Sequence, residues 1–342
     1  LAAASLSAQG QSINEKIQLA TAQLVTIDQQ RQQLSEKIEV LKLARIQESL
    51  DEVGLPALQA GDELVKHAAY TLAYADKFEQ ARWVAHIILP DVMKGTIFRT
   101  NDFRVDEKVK AGSATEADYF LKKMKPDSSF DYDGFGYDRG HLAPSADFRW
   151  SRTALSESYY YSNMSPQLAE FNRGAWGDLE DAIRGYMYGH PNTELYVVTG
   201  PVLKPGLKLI ERGINKVSIP EQYFKVVLDK ENNRAIAFLM PNRAINEPLK
   251  TFATSIDEIE KLTGLDFFNK LPAAAQASLE TMSDAGPWLP AASMSDVAAL
   301  PQEKLERNHF NTTTAGTWMG QNQEVYVCGT VVGARLSRAG NV

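Results

Sequence analysis

Between residues 13 and 45 apolar side chains recur at alternating spacings of four and three: Ile13, Ile17, Ala20, Leu24, Ile27, Leu34, Ile38 and Leu41. That period predicts an α-helix with a single apolar seam, and four heptads of it form a coiled-coil pattern. Arg31 takes the slot between Ile27 and Leu34, and Arg45 the slot after Leu41. Gln, Glu and Lys fill most of the other faces. Two arrangements satisfy such a seam: a coiled coil with a second helix, giving a homo-oligomer, or an amphipathic helix laid along its own domain. Either way the region scaffolds, and Gly54-Leu55-Pro56 breaks it.

The length of 342 residues suggests about two domains at roughly 150 residues each. With 44% hydrophobic residues a sizeable core is available. No stretch reaches about 18 apolar residues, so no membrane span is expected. A single cysteine, Cys328, excludes an internal disulfide and a cysteine-rich zinc site. The 36 basic side chains stand against 43 acidic ones, a net charge of −7, which argues against holding nucleic acid by bulk charge. A nucleic-acid enzyme of this composition has to rely on a few placed cations and a metal.

The opening Leu1-Ala2-Ala3-Ala4-Ser5-Leu6-Ser7-Ala8-Gln9 resembles the tail of a secretory signal, so residues 1–8 are read as its remnant and export to the bacterial periplasm or medium is expected. Residues 9–63 form the helical segment and 64–272 the main domain. That domain mixes strands at Leu195–Val198, Tyr223–Leu228 and Ala235–Leu239 with helices near 175–188 and 249–262, an α+β pattern. Residues 273–312 read as a linker with one short helix. Residues 324–333 read as one or two strands of a small β-domain, 313–342, left incomplete after the turn signal Ala339-Gly340-Asn341. Neither GxGxxG after a strand nor GxxxxGK[ST] occurs, so nucleotide-cradling loops are not indicated.

Four of the five histidines have bland surroundings: His67 and His86 in regular stretches, His190 at a helix end, His309 in the linker. His141 differs. In Tyr137-Asp138-Arg139-Gly140-His141-Leu142-Ala143-Pro144 an acid, a guanidinium, a glycine and an imidazole fall within four residues. Arg139 can fork onto phosphate oxygens. Gly140 allows close backbone approach to a ligand. His141 can take a proton from water near neutral pH. A turn with an N-capping Asp and a solvated Arg and His has the same composition. A second cluster follows: Ser162-Asn163-Met164-Ser165-Pro166-Gln167, then Phe171-Asn172-Arg173-Gly174-Ala175-Trp176, Leu179-Glu180 and Arg184. Asn172 lies at or near a helix N-cap, and Glu180 and Arg184, four apart, share a helix face. Alone, this reads as a capped helix with an internal salt bridge.

Together and in this order, the Asp-Arg-Gly-His, Ser-Asn-x-x-Pro-Gln and Asn-x-Gly-Ala-Trp-x-x-Leu-Glu segments resemble the DNA/RNA non-specific endonucleases, the endonuclease G-like ββα-metal nucleases. The resemblance extends over residues 64–272, through Tyr70–Tyr74, Asn101–Arg104, Tyr223–Val227, Ala235–Asn242 and Leu262–Phe268. It implies a ββα-metal nuclease domain flanked by the N-terminal helix and the C-terminal β-segment. It also implies His141 as general base, Asn172 as metal ligand, and Glu180 holding the hydrated metal through water. Arg139 and Arg184 would meet the scissile phosphate, with Asn163 in a supporting active-site role. Arg99 or Arg104 would supply a further phosphate contact. Mg²⁺ is the implied cofactor, with Mn²⁺ or another divalent cation as alternatives, and DNA and RNA are the implied substrates, cleaved to 5′-phosphates.

If the chain is helical from Asn172 to Glu180, about 1.5 Å per residue separates them by up to about 12 Å, which suits a water-mediated role for Glu180. Contacts to phosphate and metal carry no sequence information, so low sequence specificity and strong salt dependence are expected. Residues 203–234 hold seven Lys/Arg against four Asp/Glu and are a candidate flank for substrate. The competing readings are a narrower enzyme acting on small nucleotides or single strands, and an interaction scaffold whose nuclease domain is regulated by a partner.

Overall fold

The computed structural model describes residues 12–289, 302–305, 309–311, 314–318 and 325–328. The expectations for residues 1–8 and for the turn at 339–341 lie outside these described residues.

Helix α1 (Ile13–Val53) opens on a capping box in which Ser12 and Glu15 satisfy each other's backbone N–H groups. It ends at Gly54, whose φ of 95° suits only glycine and whose N–H closes on Leu50 O. At about 1.5 Å per residue, its 41 residues span roughly 60 Å. Residues 12–38 are exposed throughout. The last third lies along the chain's own domain, with Ile46, Leu50 and Val53 in the core.

Strands β1 (Asp62–Lys66), β2 (Tyr70–Ala75) and β3 (Gln80–Ile88) form an antiparallel meander. An exposed hairpin follows, β4 (Phe120–Met124) and β5 (Phe130–Gly134). Next come β6 (Asp138–His141), helix α2 (Arg152–Glu157), β7 (Met164–Gln167), α3 (Ala169–Arg173) and α4 (Ala175–Gly189). Strand β8 (Leu195–Pro201) precedes a small pair, β9 (Lys208–Leu209) and β10 (Ser218–Ile219). Strands β11 (Gln222–Asp229), β12 (Arg234–Pro241) and β13 (Ala253–Thr254) lead to α5 (Ile256–Thr263) and α6 (Ala273–Glu280). Further on, β14 (His309–Asn311) pairs in parallel with β15 (Tyr326–Cys328).

The centre is a seven-stranded antiparallel sheet in the order β1-β2-β3-β8-β11-β12-β13. The expected α+β class is observed. Strands β2 and β3 are buried at every residue, so both faces of the sheet are covered and they lack the apolar/polar alternation of a half-exposed strand. Registers Val84↔Thr199↔Lys225 and Ile87↔Tyr196↔Leu228 put the two sets on opposite faces, because successive side chains alternate. Tyr196 reaches Gly54 O on the α1 side. His86, Thr199 and Lys225 face the other side, where β6, β7 and the following helices pack.

Two expectations need correction. The helix expected over 249–262 begins only at Ile256, where Ser255 caps it by accepting from Glu258 N; residues 249–252 form a separate 3₁₀ turn. His309, expected in a linker, lies on β14, whose parallel partner is 15 or more residues downstream and leaves no local signal.

Candidate active site

Strands β6 and β7 pair antiparallel, Asp138 opposite Gln167 and His141 opposite Met164, and α3 and α4 follow β7. This ββα unit carries most of the residues singled out from sequence. Gly140 makes the pairing possible. A Cβ there would sit 2.1 Å from Oε1 of Gln167. Its small size therefore admits a buried glutamine rather than a ligand, which corrects the expectation.

Asp138 accepts hydrogen bonds from Asn172 Nδ2 at 2.9 Å and from Arg173 Nε and Nη2 at 2.7 and 2.6 Å. Burial opposes ionisation, but Arg173 and Asn172 hold this carboxyl below the usual range. The bond also fixes the amide of Asn172: Nδ2 turns toward Asp138, leaving Oδ1 for another partner. Asn172 lies inside α3 and is not an N-cap. The helix breaks at Gly174, where a Cβ would stand 2.5 Å from Glu170 O, and α4 starts afresh with no side-chain cap. The premise of one straight helix from Asn172 to Glu180 therefore fails.

His141 is half-buried between the rings of Phe103 and Tyr159, whose centroids lie 5.8 and 5.1 Å away. Its Nε2 is buried with no hydrogen-bond partner, so Nδ1 is the ring nitrogen left to exchange protons with the site. Burial, then the cations Arg99 and Arg139, lower its pKa to about 3. Arg139 lies 3.6 Å over Phe103 and 5.1 Å over Phe120 and donates to Tyr161 Oη at 3.3 Å. It pairs with no carboxylate among the described residues, and neither does exposed Arg99. Both keep donors free for an anion.

The other predicted residues are committed to protein groups. Asn163 is fully buried; its Nδ2 donates to Ala143 O and Ser158 O, and its Oδ1 accepts from Ala143 N. It fixes the backbone just after His141, a positioning role. Arg104 lies 4.0 Å over Tyr160 and donates to Asp102 and to Ser156 O. Arg184 donates to Asp147 at 2.7 Å and to Asp181 at 2.6 Å. The expected Glu180–Arg184 salt bridge is thus replaced by partners that Arg184 meets at 2.7 and 2.6 Å.

Beneath the site runs a charge network that sequence reasoning missed. Asp147 is buried, accepts from Arg184, and pairs with His86 Nε2 at 2.9 Å. Lys225 is buried on β11, donates to Thr199 Oγ1 at 2.7 Å and lies 4.9 Å over Trp176. Burial raises the Glu180 pKa to about 7, with Lys225 and Arg184 opposing the rise. The signal for Lys225 was a lysine inside the apolar run Tyr223–Leu228. Its burial also removes it from the supposed basic flank at 203–234, where Lys204, Arg212, Lys216 and Lys230 are spent on Glu221, Asp133, Glu211 and Glu52. Behind Asn163, buried His67 pairs with Asp106 at 2.8 Å, and Asp106 accepts from Ser162. His190 caps α4 and stacks on Tyr186 at 3.9 Å.

The chain is similar to known nucleases. The family model for DNA/RNA non-specific endonucleases matches residues 49–274. Mitochondrial endonuclease G of Homo sapiens is 34% identical over 241 residues, covering 66% of this chain and 75% of the human protein. A nuclease of Nostoc sp. is 34% identical over 227 residues, covering 63% of this chain and 76% of its own length. Among solved structures, a chain of the EndoG/EndoGI complex superposes with a TM-score of 0.54 at 27% identity, covering 66% of this chain and 91% of that one.

Proposed function

The chain belongs to the DNA/RNA non-specific endonuclease family and is a hydrolase of phosphodiester bonds, and on that premise we propose that it cleaves DNA and RNA without regard to sequence or sugar. His141 acts as general base and Asn172 as the ligand of a divalent cation. One observation carries the reading most: the Asp138–Asn172 hydrogen bond ties the amide to the strand that bears His141 and leaves its oxygen free.

The residues present fit a hard cation. The Asn172 amide oxygen and the Glu180 carboxylate accept no hydrogen bond among the described residues, and oxygen donors of this kind suit Mg²⁺, or Mn²⁺ or a similar ion. Asn172 would hold the cation, with Glu180 reaching it through water; bound there, it supplies positive charge against that developing on the phosphate and the leaving 3′-oxygen. His141 Nδ1 takes the proton from a water whose oxygen forms the new bond to phosphorus. The phosphorus–O3′ bond breaks, the leaving oxygen gains a proton from solvent, and the 5′-phosphate remains on the other fragment. Arg139, held over Phe103, and exposed Arg99 offer donors to the non-bridging oxygens. By neutralising these two cations, the bound phosphate also lifts the His141 pKa from its low resting value, making the imidazole a stronger base once substrate is in place. Assaying duplex DNA, RNA and a cyclic dinucleotide side by side, with Mg²⁺ and with EDTA, tests the substrate range. Metal-dependent loss of both polymers is expected, and cleavage of the dinucleotide alone would replace this reading with the narrower one.

A homo-oligomer through α1 completes the proposal. Its seam residues Ile13, Ile17, Leu24, Ile27, Leu34, Ile38 and Leu41 are all more than half exposed. Leu41 on the seam and Ile46 on the docked face are five residues apart, about 140° around a 3.6-residue helix. The seam therefore points away from the chain's own domain, and Arg31 within it is the kind of polar seam residue that sets register. Sedimentation of the full chain against Leu24→Asp should show the variant at lower mass; identical masses would remove the oligomer.

A further inference from the structure

We propose a second divalent-cation site, separate from the active site, formed by Asp257 and Glu260 of α5 and Glu280 of α6 and suited to Ca²⁺. It does not depend on the catalytic reading. One ligand oxygen from each of the three lies within 4.8 Å of the others. An all-carboxylate donor set suits Ca²⁺, which takes several protein oxygens, better than Mg²⁺, which dehydrates reluctantly and keeps most of its waters.

Glu280 points to a cation most directly. It is 9% exposed, and its Oε1 is buried without a hydrogen-bond partner. It is also the last residue of α6, where the helix's unpaired carbonyl groups concentrate negative charge. Asp266 adds its charge to the same cluster, and only acids and a backbone N–H act on Glu260 and Glu280 there. Glu260 is held in place by Phe267 N, which donates to its Oε1 at 2.7 Å. A buried acid at a helix C-terminus, ringed by acids and lacking a basic partner, is costly as a carboxylate unless a proton or a cation compensates it, and three converging carboxylates favour the cation. A Ca²⁺ ion would clamp α5 to α6, both of which pack on β12, and so brace the edge of the sheet.

Calorimetric titration of the full-length protein with Ca²⁺, in wild type, Asn172→Ala, Glu280→Gln and Asp257→Asn, tests this. In the Asn172→Ala background one Ca²⁺ per chain should bind and raise the melting midpoint by about 4 °C at roughly hundredfold excess over Kd. Adding Glu280→Gln should abolish both effects. Asp257→Asn, at an exposed position that leaves folding intact, should weaken binding at least about tenfold. Undiminished Ca²⁺ binding in both acidic-cluster variants, or none in the Asn172→Ala background, would overturn the site. Failure of the catalytic reading looks different: Asn172→Ala would then leave the Mg²⁺ requirement for cleavage unchanged.

Discussion

Replacing Asp138 with Ala removes the protein partner that orients the Asn172 amide, and the loss should be read in metal dependence rather than in folding. The deleted carboxylate accepts one bond from Asn172 at 2.9 Å and two from Arg173 at 2.7 and 2.6 Å. The Arg173 side chain is 70% exposed, so its pair contributes at most about 1 kcal/mol to stability. The bond to Asn172 acts differently. Without it the amide is free to turn its NH₂ toward the cation position, and loss of such an orienting partner typically costs about 10–100-fold in metal affinity. That is about 1.4–2.8 kcal/mol. Plasmid nicking rates titrated with Mg²⁺ should show the half-saturating concentration raised by this factor, with the rate at saturating Mg²⁺ within about tenfold of wild type. Arg173→Ala keeps the Asp138–Asn172 bond and should move the midpoint little. An unchanged midpoint in Asp138→Ala, or an equal shift in Arg173→Ala, would refute the orienting role.

Removing Arg99 takes one cation from beside His141, so the histidine pKa rises from about 3 toward its ordinary value and the acid limb of kcat/KM moves to higher pH; an unmoved limb would count against the pairing. The same low pKa links to stability: below about pH 6.5 the unfolded chain binds a proton that the native histidine refuses, so stability falls on acidification from there toward pH 3. In urea titrations His141→Ala should lessen this acid sensitivity. Asn163→Ala leaves two buried carbonyls and an N–H unpaired, costing roughly 2–4 kcal/mol in the same assay, with activity lost through displacement of His141. Cleavage of long DNA should fall steeply with added salt, since phosphate contacts dominate the proposed binding; salt-independent turnover would contradict it.

How much of this could be read from sequence depended on contact range. The helices at 175–188 and 13–45 and the strands β8, β11 and β12 follow from local periodicity and β-branched content, and each is observed near its expected position. Strands β2 and β3 carry no alternation because both their faces are buried, so pattern alone is silent there. Within the site, His141 and Arg139 stood out because four chemically distinct residues lie side by side. Their setting did not. Asp138 meets Asn172 across 34 residues and Asp147 meets Arg184 across 37. A local reading supplied Glu180, four residues back, as partner of Arg184; the structure pairs Arg184 with Asp181, three residues back, and through tertiary packing with Asp147. Asn163 and Arg104 were identified by motif, while their hydrogen bonds show that they act on backbone and neighbouring loops. The break at Gly174 was present as a glycine in the sequence, but its cause, the close approach of Glu170 O, is a matter of geometry.

The most direct measurement is digestion of plasmid DNA and total RNA by wild type with Mg²⁺, by wild type with EDTA, and by His141→Ala with Mg²⁺. We expect wild type to degrade both substrates only with the metal. His141→Ala should be slower by about 10²–10⁴-fold while still binding Mg²⁺. Degradation that persists in EDTA, or a His141→Ala enzyme as fast as wild type, would contradict a metal-dependent nuclease with His141 as its base.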